Sequence, residues 1–159
     1  MTHLLNRKTR GGLVANILVP VIATLALNGI IFSTGLQSDG ELRELVPFAP
    51  PGWFIGAVWV VLFALYGVAR WKAITAGAQN AAGWITGLMI WALAYPFTSA
   101  GFDLYYGALA NLLSLIFALF VFVRTWRGEQ AAAQWLVPSL LWMIFANFLG
   151  FTALGRLYA

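Results

Sequence analysis

Groups able to do acid–base, nucleophilic or metal chemistry are scarce in this chain, and their positions limit what it can do. The five carboxylates are Asp39, Glu41, Glu44, Asp103 and Glu129, and none lies inside a long apolar stretch. The one histidine is His3, in the N-terminal tail, and cysteine is absent. Paired carboxylates, a Ser-His-Asp set, a thiolate nucleophile and a Cys/His metal site therefore lack their raw material. Proton pumps and ion-coupled transporters usually keep an ionisable group within the bilayer, and no carboxylate is placed for that. No Gly-rich phosphate loop follows a strand pattern. The expectation is a chain with no catalytic residue, no metal ligand and no required cofactor.

Aromatic side chains are in excess instead: 8 Trp, 12 Phe and 5 Tyr in 159 residues. Trp and Tyr favour the headgroup level of a membrane, which suits Trp53, Trp71, Trp84, Trp126, Trp135 and Tyr158 near the ends of apolar segments. Trp59, Trp91 and Trp142 fall well inside such segments, accompanied by Tyr95 and by Phe63, one turn beyond Trp59. A buried indole N–H needs a partner from the protein or from a ligand, so these residues suit tight packing and a ligand pocket equally. The polar residues inside the apolar segments are Asn16, Thr24, Asn28, Thr86, Asn111, Ser114, Ser139 and Asn147. Hydrogen bonds between helices, averaging about 0.6 kcal/mol each, are their expected role. Asn147 is the most disposed to another, because it follows the turn that carries Trp142.

The elements that must position these residues are set by composition. Hydrophobic residues make up 62% of the chain and charged residues 9%, against roughly 25% charged in a soluble protein; mean hydropathy is +0.84. That surplus of apolar surface must face lipid. A spanning helix needs about 20 apolar residues, and five stretches qualify, at about 12–34, 52–71, 82–100, 104–123 and 132–151. The fold class is thus an all-α integral membrane protein, a five-helix bundle in a single domain. The first apolar run follows Arg7, Lys8 and Arg10. It exceeds a signal-peptide core and lacks a small-x-small cleavage site, so it reads as an uncleaved first helix. Arg7, Lys8, Arg10, Arg70, Lys72, Arg124 and Arg127 fall on one side of the implied topology, and only Arg43 and Arg156 on the other. The positive-inside rule then puts the N-terminus in the cytoplasm and the C-terminus outside, in the periplasm if the membrane is a bacterial inner membrane. The basic residues flank apolar segments rather than forming a patch, which argues against nucleic acid as a partner. The longest connection, Gly35–Pro51, is acidic, and its Gly40–Val46 segment suits a short amphipathic turn. Gly52-x-x-x-Gly56 and Gly83-x-x-x-Gly87 permit close helix contact, within the chain or in a homodimer.

From Pro47 to Gly67 the chain reads PFAPPGWFIGAVWVVLFALYG, and here it resembles the tryptophan-rich sensory protein or translocator protein family, TspO/MBR. Pro50, Pro51, Trp53, Gly56, Trp59, Leu62 and Phe63 match that family's signature in register. A second match, Pro138-Ser-Leu-Leu-Trp142-Met-Ile-Phe-Ala146, is similar to the family's pattern in helix five. The chain departs from the family in helix three, where Trp91 and Ala94 stand at positions usually Asn and aromatic. It departs again at Ser139 in place of Tyr and at Gly150 in place of a late Asn. The resemblance implies a pocket beneath the first loop that takes a porphyrin or other tetrapyrrole, a sterol-like lipid or another hydrophobic molecule. The ligand-binding residues so implied are Pro51, Trp59, Phe63, Trp142 and Ala146, with Trp91, Tyr95 and Asn147 as additions. It also brings light-dependent porphyrin breakdown into view, which needs only Trp beside a photosensitised ligand.

Two readings follow. One is a membrane receptor or carrier for a hydrophobic ligand, with membrane lipid and that small molecule as partners. The other is a non-catalytic accessory subunit packed against a larger membrane complex such as a pigment–protein assembly of photosynthesis. An outward-facing aromatic stripe with a collapsed pocket would select the second.

Overall fold

The computed structural model describes residues 5–35, 40–99 and 101–159. In chain order its elements are α1 (Arg10–Thr34), a short α2 (Gly40–Leu45), α3 (Gly52–Thr75), α4 (Gln79–Thr98) and α5 (Leu104–Gly128). A one-turn α6 (Gln130–Ala133), a 3₁₀ turn (Gln134–Leu136) and α7 (Val137–Leu157) complete the chain. No strand occurs among the described residues. Among the described residues, five helical stretches are long and apolar enough to cross a membrane: α1, α3, α4, α5 and the run from Gln130 to Leu157. Large side chains such as Ile22, Val61, Ile90, Leu113 and Leu141 lie exposed along them, a surface suited to hydrocarbon rather than water. The protein is an all-α five-helix integral membrane bundle.

Local chemistry explains the helix ends. Thr9 caps α1 by accepting from the Gly12 N–H at 3.3 Å, and Asp103 caps α5 by accepting from the Tyr106 N–H at 2.9 Å. Gly35 ends α1 at φ 62°, a left-handed conformation that side chains disfavour. Pro51, at φ −68° and ψ 153°, arrives extended and opens α3, since a residue lacking an N–H costs nothing where that donor has no helical partner. The helices outrun the expected spans. α3 continues from Trp71 to Thr75, α5 from Val123 to Gly128, and α7 from Phe151 to Leu157, because backbone hydrogen bonding does not stop where hydrocarbon does. The expected end of the third span, Ala100, lies outside the described residues, as do His3 and Asp39. Before Pro138 the chain tightens into the 3₁₀ turn, which re-pairs carbonyls that the proline cannot serve.

The best-packed half of the bundle is the end where α3 finishes and α4 begins. Phe63, Tyr66, Ala69 and Ala73 of α3 meet Ile85 and Leu88 of α4, Ala118 and Val121 of α5, and Leu136 and Met143 of the last span. α1 lies against α3 over most of its length. Pro20 leaves the Asn16 carbonyl without its helical donor, and Gly67 lies directly against it: a Cβ there would come within 2.2 Å of that oxygen. Arg70 joins four segments at this end. Its Nε donates to Thr86 Oγ1 at 2.8 Å and its Nη1 to Asn16 Oδ1 and the Leu5 carbonyl; Nη2 reaches Asn6 Oδ1 at 3.3 Å. At the opposite end the first loop folds back on α7. Val46 and Ala49 are buried against Leu149 and Ala153, and Arg156 Nη1 donates to the Leu45 carbonyl at 2.6 Å. The N-terminal tail and the first loop therefore occupy opposite ends of the bundle.

Candidate functional site

Toward the first loop the packing gives way to a cavity of about 570 Å³, within the usual range for small-molecule sites. Helical spacing supplies its walls. Trp59 and Phe63 share one face of α3, four residues apart, and Trp142 and Ala146 share one face of α7; all four line the cavity. Trp59 and Phe63 have ring centroids 6.1 Å apart, and Trp142 is 5.6 Å from Phe145. On the lipid side Phe54 closes on Trp142 at 6.4 Å. Leu42 of α2 and Pro50 complete the roof.

A polar rail runs along the α4–α5–α7 side. Trp91 Nε1 donates to Ser114 Oγ at 2.9 Å and Tyr95 Oη to Asn111 Oδ1 at 2.8 Å. Asn147 Nδ2 donates to the Met143 carbonyl at 2.8 Å and to the Asn111 carbonyl at 3.3 Å. These bonds leave Asn147 Oδ1 buried with no hydrogen-bond partner among the described residues, on a residue only 7% exposed. An orphaned acceptor of this kind carries a cost of about 1–3 kcal/mol, which a ligand donor would remove. Across the cavity the Asn28 Nδ2 donates to the Gly56 carbonyl at 3.1 Å.

Of the eight residues expected at the site, Trp59, Phe63, Trp91, Tyr95, Trp142, Ala146 and Asn147 line this one cavity, and Pro51 does not. Successive residues of an extended segment point to opposite sides, so Pro50 faces the cavity and Pro51 turns away to start α3. Trp91 is also 42% exposed: its ring belongs to the outer surface as well, and its N–H is satisfied by Ser114 rather than left for a ligand. Asn111 and Ser114 were legible as polar residues within a span, yet their role as partners to α4 aromatics was not. Their three-residue spacing, opposite the four-residue spacing of Trp91 and Tyr95, was the available signal. Trp71, expected at the membrane interface, is half-buried, with its Nε1 enclosed and without a hydrogen-bond partner among the described residues. Gly56 serves contact with α1 inside the chain, whereas Gly83 and Gly87 have open space where a Cβ would stand. No group of His, Cys, Asp or Glu among the described residues could hold a metal ion.

Comparison with known proteins agrees with this architecture. The TspO/MBR family model matches residues 16–155. An uncharacterized membrane protein, YtaB, of Bacillus subtilis (strain 168) is 29% identical over 143 residues, covering 86% of this chain and 90% of that protein. The Tryptophan-rich protein TspO of Chlorobaculum tepidum is 31% identical over 113 residues, covering 66% of this chain and 70% of that protein. With a match that takes in all five spans, this membrane protein belongs to the TspO/MBR family.

Proposed function

We propose that this protein is a membrane receptor or carrier whose cavity takes a flat hydrophobic ligand, a porphyrin or other tetrapyrrole, with a sterol-like lipid as the competing class. The observation that carries the reading is the pairing of aromatic walls from α3 and α7 in one cavity of about 570 Å³, lined also by Asn147, whose enclosed Oδ1 has no hydrogen-bond partner among the described residues. Flat rings stack on Trp and Phe faces, and a pyrrole N–H or a sterol hydroxyl supplies the donor that Asn147 lacks. The accessory-subunit reading called for a collapsed pocket, and the open cavity weighs against it. The membrane is proposed to be the bacterial inner membrane, with the basic end of the bundle, including the N-terminus, in the cytoplasm.

The test is titration of the purified protein with a porphyrin, followed by absorbance and tryptophan quenching. Trp142→Ala, which strips one wall, is expected to weaken binding about tenfold or more, since a stacking contact is worth on the order of 1 kcal/mol beyond its area. Trp84→Ala, outside the cavity, is expected to bind like the parent. Equal affinities in all three proteins would remove the cavity from the reading.

A further inference from the structure

A second recess, of about 470 Å³, lies at the basic end of the bundle between the start of α4 and the end of α5. Arg124 and Arg127 line it together with Trp84 and residues 77–81, the connection into α4 and its first residues. The arginines are three residues apart and so share a helix face. Neither has a carboxylate partner among the described residues: the neighbouring acid, Glu129, accepts instead from the Ala131 N–H at 3.0 Å, at the start of α6. Arg124 stands 6.0 Å from the Phe120 ring centroid, and Phe120 meets Trp84 edge-on at 4.9 Å, which gives the recess an aromatic flank. Opposite the arginines α4 begins at Gln79 with no side-chain cap, so the positive end of its dipole adds to the same field. Two unpaired like charges sharing one recess repel each other, and an anion between them would turn that repulsion into attraction.

We propose that this recess holds the phosphate of an anionic phospholipid, gripped by Arg124 and Arg127 with Trp84 at headgroup depth. Lipid is the source because of where the recess sits. It opens at the rim of two spans, beside the exposed Val123 and Trp126, where acyl chains lie against the helices and headgroup phosphates are already concentrated. Arginine pairs suit phosphate through their fork of donors.

The test is native mass spectrometry of the full chain with phosphatidylglycerol and phosphatidylcholine at equal mole fraction. The parent is expected to retain phosphatidylglycerol preferentially, and R124Q/R127Q to lower that preference about tenfold or more, since each cation near anionic lipid contributes a several-fold factor. R7Q/K8Q removes two cations from the same end but outside the recess, and is expected to keep the preference. Added millimolar inorganic phosphate is expected to leave the lipid in place. No preference in the parent, equal losses in the two double variants, or displacement by inorganic phosphate would each overturn the proposal. Helicity by circular dichroism confirms that the variants are folded; both sites are on the surface.

Discussion

Gly67 and Gly83 are both helical glycines in apolar spans, yet their surroundings differ. A Cβ at Gly67 would run into the Asn16 carbonyl oxygen at 2.2 Å, while one at Gly83 meets nothing within 4 Å. Gly67→Ala is therefore expected to force α1 and α3 apart and to destabilise the protein by about 2 kcal/mol or more. Gly83→Ala is expected to be neutral, or stabilising by up to about 1 kcal/mol from helix propensity. Thermal unfolding in detergent measures both. Asn147 makes a different kind of residue-scale statement. Asn147→Leu keeps the branched shape while removing the orphaned acceptor together with the Nδ2 bonds to the Met143 and Asn111 carbonyls, a gain and a loss of about 1 kcal/mol each that offset, so folding stability should change little. Porphyrin affinity should fall about tenfold, equivalent to about 1.4 kcal/mol, read by absorbance titration. A Leu variant that binds like the parent would mean that no ligand donor reaches this oxygen.

Among the elements, the first loop is the one whose contacts tie it to the site. α2 and the following residues reach the bundle through Val46 and Ala49, buried against α7, and through the Arg156 hydrogen bond to the Leu45 carbonyl. Leu42 and Pro50 of this segment also line the cavity, so loosening the loop loosens the roof. A hydrogen bond from a charged donor contributes about 1.5–3 kcal/mol when well enclosed, and less where solvent reaches it, as here. Arg156→Gln is expected to speed hydrogen exchange about fivefold at the amides of Val46 and Ala49, whose partners are the carbonyls of Leu42 and Val46, both at 2.8 Å. Amides in the middle of α3 should be unaffected, and porphyrin should dissociate faster.

For the molecule as a whole, the two ends of the bundle differ in charge and in what holds them. The tail is held near the C-terminal end of α3 by Arg70, and the first loop is held at the other end by Arg156. Arg7, Lys8, Arg10, Arg70, Lys72, Arg124 and Arg127 thus gather at the tail end, whatever the orientation. In the orientation proposed above, from the positive-inside rule, that end faces the cytoplasm. The chain has no cysteine, so single cysteines report cleanly. Glu44→Cys is expected to react with a membrane-impermeant maleimide on intact spheroplasts, and Arg7→Cys only after permeabilisation. The reverse pattern would invert the topology and, with it, the leaflet that supplies lipid to the arginine recess.

Much of this architecture was written locally along the chain. Hydropathy located five spans, since about 20 apolar residues cannot be left in water and only a helix satisfies its backbone in lipid. Pro50–Pro51 marked where α3 begins, and four-residue spacing put Trp59 with Phe63 and Trp142 with Ala146 on single faces. These signals need only a residue's near neighbours. Contacts between helices were beyond them. That Pro50 rather than Pro51 faces the cavity, and that Trp91 and Tyr95 find Ser114 and Asn111, depends on how the helices are rotated against one another. So does the convergence of Arg70 on α1, α4 and the tail. Rotation and depth are fixed by close approaches such as Gly67 against the Asn16 carbonyl and Gly56 against Asn28, which join residues 51 and 28 positions apart. The same packing fills one half of the bundle and leaves the other open, and so the tertiary structure alone decided that a cavity exists.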